Sequence, residues 1–315
     1  MGAMGRRPPV TEIEVLPSVH QIDLHFMGQS GCIAAYVLKG SDGAAALIET
    51  GPSATRAALL RGLRAAGVAP ADIRAVLVTH IHLDHSGAAG VLLRDDMPEA
   101  SVYVHPAGLP HLVDPSRLLR SATRLYGDMM DTLWGEVAPV PAERVAVLED
   151  GQRLELAGHA VEVLFTPGHA AHHVAVRHLA TNAVFTGDVA GVRVPGADVV
   201  NPPAVPPEFD LEAWARSIDR LLALEPSALL LAHFGHHSDA PAHLHNLRER
   251  LDAWTNAVRD GLAAGRPPEE IAADLQARDE DAPSTTAKGL TRLSHVAGYG
   301  MSVAGISRYL QKREA

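Results

Sequence analysis

From about residue 19 to 235, short runs rich in β-branched residues alternate with stretches whose apolar positions recur every three or four residues. That pattern predicts strands interleaved with helices, as in a layered α/β fold. HQIDLHFM, GCIAAYVLKG and AAALIET are the first strand candidates, and SDG at 41–43 predicts a hairpin turn between the last two. Ser53 is placed to cap a helix through ATRAALLRGLRAAG, which would present Leu59, Leu60 and Leu63 on one face and stop at Gly67. RAVLVTH is apolar on both faces, as an interior strand is, and it ends in a cluster of histidines. VYVH follows near 102–105, and then a helical stretch over roughly 115–135.

A second set of strand candidates comes next: RLELAG, AVEVLFT, HVAVRHL and NAVFTGD. Two sets of similar size, each trailed by helices, predict two sheets packed face to face with helices outside. The proline-rich NPPAVPP segment predicts a loop and a pocket wall. LEAWARSIDRLLALE predicts an amphipathic helix, and SALLLAH a final buried strand. Beyond about 239 the pattern is helical throughout, with too little apolar surface for an independent core. The organisation expected is an N-terminal extension over 1–18, an α/β domain over 19–238, and a docked C-terminal helical extension over 239–315.

Composition narrows the function classes. A formal charge of −10 argues against nucleic-acid partners, which require cationic surface to displace counterions. No run of about 18 apolar residues would span a membrane, and the opening MGAMGRRPP lacks the apolar core of a secretory leader. The single cysteine, Cys32, is expected to pack as a small hydrophobe in a reducing, cytoplasmic setting. Aromatics make up only 4% of the chain, so Leu, Val, Ile and Ala must build the core. A homodimer is an expectation from base rates alone. Histidines number 18, well above ordinary usage, and they are the lead to follow.

The central signal is His80-Ile81-His82-Leu83-Asp84-His85-Ser86-Gly87, directly after RAVLVT. Three imidazoles and a carboxylate within six residues supply the ligand types that bind zinc and similar divalent ions. His80 and His82 would face one metal, and Asp84 and His85 another. Four ligands do not complete two sites, so more are needed at other strand ends. His169 follows AVEVLFTPG, Asp188 follows NAVFTG, and His233 follows SALLLA. Each stands where open α/β sheets gather their chemistry.

THIHLDHSG, TPGHAAHH, FTGD and AHFG, in that order and spacing, resemble the metallo-β-lactamase-fold hydrolases, and the helical tail loosely resembles the glyoxalase II-like branch. The resemblance covers about residues 19–235. It implies a four-layer αββα sandwich of two mixed β-sheets flanked by helices, with a binuclear metal site at one edge. It places His80, His82 and His169 on the first metal, Asp84, His85 and His233 on the second, and Asp188 between them. Two divalent ions are implied, zinc first, with iron or manganese as alternatives. Two departures stand out. Glu49 occupies a position where the family often has Asp, and it is read as support for a ligand. His172 stands where Gly is usual in TPGH-x-x-GH; it is read as a solvated loop residue, with projection into the pocket as the alternative. His173 matches the second histidine of that motif and is read as supporting.

The function expected is hydrolysis of an ester-like bond in a small molecule, thioester or lactone ahead of phosphodiester, with a metal-bridging hydroxide as nucleophile and Asp84 assisting the departing group. No G-x-S-x-G offers a serine nucleophile. A mononuclear iron persulfide dioxygenase on the same fold is the alternative, and a non-catalytic metal-binding scaffold the next. His105 is read as structural. His243 and His245, two apart on a helix and so on different faces, are read as solvated, although with His236 and His237 they form a cluster in sequence. Residues 106–135, the 191–207 loop and the C-terminal helices are the expected pocket walls, with Arg193, Tyr126 and Tyr299 as conceivable contacts.

Overall fold

The structure, a computed structural model, describes residues 12–314. One sheet runs in chain order: β1 (Glu12–Leu16), β2 (Val19–Asp23), β3 (Ala34–Lys39), β4 (Ala45–Ile48), β5 (Ile73–Leu77), β6 (Ser101–Val104) and β7 (Val145–Val147). It is antiparallel up to β4 and parallel from there on. The second sheet orders β8 (Arg153–Leu156), β9 (His159–Phe165), β10 (Val174–His178), β11 (Ala183–Gly187), β12 (Leu229–Leu231) and β13 (Gly235–His237), antiparallel except for β11 with β12.

Period-2 alternation explains how the sheets stack. Tyr36 and Leu38 of β3 and Leu77 of β5 meet Val161, Val163 and Phe185 of the other sheet in one buried cluster. Tyr36 and Phe185 touch edge to face at 5.2 Å, and the Tyr36 hydroxyl donates to Leu231 O at 2.6 Å, which satisfies its polar tip between the sheets. The intervening residues Val37, Val76 and Val78 face the opposite way, against helix α1 (Arg56–Ala65) and the helices after β5, α2 (Leu83–Ser86) and α3 (Ala89–Asp95). Between β6 and β7 lie α4 (Leu109–Val113), α5 (Ser116–Tyr126) and α6 (Met130–Leu133). On the second sheet's outer face, α7 (Leu211–Ala223) joins α8 (Ala240–Ala263), α9 (Pro268–Glu280) and α11 (Tyr299–Glu314), with α10 (Ala287–Val296) preceding the last. Trp214, Leu247, Leu275 and Ile306 share a single apolar cluster there. The αββα architecture therefore stands, and the C-terminal helices are part of its fourth layer.

Two local expectations need correction. Residues 12–16, assigned above to an extension, form the edge strand β1, because Glu12 to Leu16 pair with β2 through the backbone, and Val15 and Leu16 pack against the core between the sheets. Ser53 does not cap α1: it opens a short 3₁₀ turn, and α1 begins at Arg56 without a side-chain cap. The hairpin at 41–43 forms, with Gly43 at φ +89° and the Asp42 carboxylate accepting from the Ala44 N–H. No helix among the described residues is long and apolar enough to cross a membrane.

Candidate metal centre

Five strands deliver chemistry to one edge of the sandwich. Glu49 follows β4, the histidine run follows β5, His169 follows β9, Asp188 follows β11 and His233 follows β12. Short anchors hold these ends together. Val174 N–H donates to Thr79 O across the two sheets at 2.8 Å, and the Thr50 N–H and hydroxyl both donate to His85 O at 2.8 Å.

Three groups of donor atoms result: His80, His82 and His169; Asp84, His85 and His233; and His80, His85 and Asp188. In the first, His169 Nε2 lies 3.2 Å from His80 Nε2 and 2.9 Å from His82 Nδ1. In the second, His85 Nε2 lies 3.3 Å from His233 Nε2. Asp188 stands between them: Oδ1 is 3.2 Å from His85 Nε2 and 3.4 Å from His233 Nε2, and Oδ2 is 3.4 Å from His169 Nε2. The structure thus brings all seven sequence-selected residues into one cluster.

Their tautomers show what belongs there. His169 Nδ1–H donates to Pro203 O at 2.7 Å, His233 Nδ1–H to Cys32 O at 2.9 Å, and His85 Nδ1–H to Glu49 Oε1 at 3.1 Å. Carbonyl and carboxylate oxygens only accept, so each Nδ1 carries a proton, and in the neutral ring that a ligand requires each Nε2 presents a lone pair. The Thr79 hydroxyl donates to Glu49 and accepts from His80 Nδ1–H at 3.0 Å, which leaves His80 Nε2 bare as well. Lone pairs facing one another at about 3 Å repel unless an electrophile lies between them. Nitrogens bound tetrahedrally at 2.0–2.1 Å are roughly 3.3 Å apart, so the spacing fits a small divalent cation. Asp188 Oδ1, buried and without a hydrogen-bond donor, fits the same conclusion.

Electrostatics agree. Burial pushes His80, His82 and His169 below the usual histidine range, which keeps them neutral, as ligands must be. Burial would also lower His85, but the Asp188, Asp84 and Glu49 carboxylates outweigh it and raise it well above that range. Burial would raise Asp188, and the His85, His233 and His169 charges hold it well below the usual carboxylate range instead. The pocket around His85 is built for positive charge.

Supporting groups fall into place around the ligands. His173 donates to the Thr166 hydroxyl (2.8 Å) and accepts the Asp188 N–H at Nε2 (3.0 Å), so it orients Asp188. Glu49 is 2% exposed and adopts φ +66°, a left-handed conformation that costs about 1–2 kcal/mol for a residue with a side chain and is kept by its three acceptor contacts. His172 corrects its reading as solvated: the loop through Glu208 folds over it, leaving it 5% exposed, with Nε2 at 3.4 Å from Glu208 Oε2. His243 is also buried, donating from Nε2 to Ala190 O at 2.7 Å, whereas His245 is exposed. His105 stays outside the cluster, against Phe165. Tyr299 packs away from the site with its hydroxyl on Asp279, and Arg193 pairs with Asp198. Cys32 is buried in the core, its thiol pushed up to about 12 by burial.

A cavity of about 480 Å³ opens over the cluster, with His82, Asp84, His169 and Asp188 at its floor. Its walls come from 111–134, 203–208 and 294–302. Tyr126 lines it, with its ring edge-on to Trp134 and its phenol pushed up to about 12 by burial and by the Asp84 carboxylate. Sequence reasoning missed Thr79 and Trp214. Trp214 donates to Val189 O at 2.7 Å and places its ring beside His169.

The profile of the Metallo-beta-lactamase superfamily matches residues 33–233. The chain belongs to that superfamily. Over 163 residues it is 30% identical to the metallo-beta-lactamase fold-containing protein ST1585 of Sulfurisphaera tokodaii, a match covering 51% of this chain and 60% of that protein. It is 29% identical over 153 residues to the atrochrysone carboxyl ACP thioesterase of Aspergillus fumigatus, covering 48% of this chain and 35% of the relative. The chain thus spans only about a third to three-fifths of these two relatives. Among solved structures, this superfamily member superposes on the family protein TTHA1429 of Thermus thermophilus with a TM-score of 0.71 at 23% identity, covering 96% of each chain. A B3 metallo-beta-lactamase with an active-site glutamic acid superposes at 0.56 and 18% identity, covering 78% of this chain and 90% of that one.

Proposed function

We propose that this protein is a metal-dependent hydrolase of an ester-like bond, thioester or lactone first, in the glyoxalase II-like manner. The observation that carries this reading is Asp188, whose two oxygens face two separate donor groups. His80, His82 and His169 would hold one divalent cation, zinc by preference, and Asp84, His85 and His233 a second. When bound, such cations supply Lewis acidity and a water acidic enough to act as nucleophile near neutral pH. A single-iron dioxygenase would have no use for the Asp84, His85 and His233 set. The name of the Aspergillus relative, a thioesterase, favours a thioester among the candidates.

The chain's own residues do the positioning. Asp84, with a side chain 20% exposed at the cavity floor, accepts a hydrogen bond from the attacking water and orients it. Tyr126 keeps its proton and donates from the wall to a substrate oxygen. Glu49, Thr79 and His173 fix the histidines and Asp188. Water oxygen bonds to the carbonyl carbon, the C–S or C–O bond breaks, and the departing atom takes a proton.

Elemental analysis of the purified protein, with a panel of thioesters, lactones and esters assayed on wild type and Asp84→Ala, tests the reading. We expect bound divalent metal and a loss of about 100-fold or more in kcat/KM. A folded, metal-replete Asp84→Ala variant with full activity, or wild type inert across the panel, overturns it.

A further inference from the structure

The cavity over the cluster has two apolar walls. Leu118, Ala122 and Leu125 of α5 form one, and Val205, Val296 and Met301 face it. Leu125 is 46% exposed at the rim, so a ligand lying there would cover apolar surface that water now wets. The same wall carries Arg117 and Arg124. Seven residues apart on a helix, they share one side and are separated by about 10 Å along the axis. Both are exposed, and neither has a carboxylate within ion-pair distance among the described residues, unlike Arg56, Arg94 and Arg177. The acids nearest the cavity are already engaged. Glu208 accepts the Ala171 N–H at 3.0 Å and faces His172, while Asp84 and Asp188 face histidines. In a chain of net charge −10, two uncompensated guanidinium groups therefore stand on one wall of an apolar trough.

We propose that the site selects amphipathic acyl substrates. The apolar acyl body lies between α5 and the opposite wall, and an anionic carrier group is held at the rim by Arg117 and Arg124. This rests on the hydrolase reading above and goes further, naming the substrate class and the residues that select it. Arginine suits the task because its fork of donors stays charged and matches phosphate or carboxylate oxygens.

S-decanoyl coenzyme A and S-decanoyl-N-acetylcysteamine share the acyl chain and the scissile bond and differ in the carrier, which is larger and phosphorylated only in the first, so the arginine variants and salt isolate the part due to charge. We expect wild type to prefer the charged thioester by on the order of tenfold in kcat/KM, mostly through KM, with the preference compressed in about 0.3 M salt. The double variant Arg117→Gln/Arg124→Gln should bring that ratio close to one. Arg120→Gln, on the same helix but outside the cavity, should preserve it. A ratio near one in wild type, or a ratio untouched in the double variant, overturns the proposal. If neither thioester is cleaved, the wider panel above decides the hydrolase reading, and binding decides this one. Decyl phosphate should bind wild type more tightly than decanol, by a margin the double variant loses; equal affinity for wild type and variant overturns it.

Discussion

Glu49→Gln isolates what a buried carboxylate does for the second donor group. Oε1 accepts His85 Nδ1–H at 3.1 Å and the Thr79 hydroxyl, while Oε2 accepts the Thr79 N–H at 3.3 Å. Glutamine preserves the volume and one acceptor, removes the charge, and turns an NH₂ toward the Thr79 N–H. A hydrogen bond to a charged group contributes about 1.5–3 kcal/mol and a neutral one about 1, so His85 loses roughly 0.5–2 kcal/mol of support. That converts to roughly 2- to 30-fold weaker metal binding at Asp84, His85 and His233. It is the size expected when the partner of a ligating histidine is altered. The assay is competition against a chromophoric chelator, with wild type and variant checked for equal secondary structure. One weakened step beside one unchanged step is the expected curve. Affinities within about twofold of wild type at both steps would refute the coupling between the Glu49 charge and His85.

Two further perturbations test the frame. Gly187 adopts φ +50°, and a Cβ there would lie 2.5 Å from Thr79 Oγ1 and 2.6 Å from His173 Nε2, so Gly187→Ala should cost about 2–4 kcal/mol in urea unfolding and weaken metal binding as well. Unchanged stability would mean that the strand end has room to move. His243, pushed down to about 4 by burial, takes up its proton more readily when unfolded, where its value is near 6.5. Between those values the unfolded chain binds the extra proton, so stability falls as pH drops from about 6.5 to 4, by at most about 3 kcal/mol. Urea unfolding at pH 7.5, 5.5 and 4.5 should show a smaller drop for His243→Gln, and an identical drop would refute the assignment.

Local chemistry made the candidate ligands legible, and chain-distant contacts hid the rest. His80, His82, Asp84 and His85 sit within six residues behind an apolar strand, so neither the metal character nor its place at a strand end required a structure. His169, Asp188 and His233 were readable because each follows its own buried run. The burial of His172 depends on Glu208, thirty-six positions later, and on a loop whose prolines suppress any periodicity. β1 was hidden for a different reason: it is a five-residue edge strand with no fully buried side chain, so backbone pairing with β2 is what chiefly marks it as a strand.

His243 is the instructive case, because a signal was present. His245 says nothing about its environment; the deciding neighbours are Ala240 and Leu247, three and four positions away and both fully buried. His243 therefore lies on the inner stripe of α8, and its Nε2–H reaches the Ala190 carbonyl two residues past Asp188. The helix that looked like an appendage thus holds the segment carrying the shared carboxylate. The same device recurs at α10, where the buried Arg292 side chain donates to Ser30 O and Pro195 O and fixes the wall bearing Val296 over the cavity. Metal ligands come from the sheets, but the position of the third cavity wall is set by C-terminal helices bonded to backbone carbonyls of the α/β core. Changes in α10 should therefore alter substrate choice before they alter metal binding.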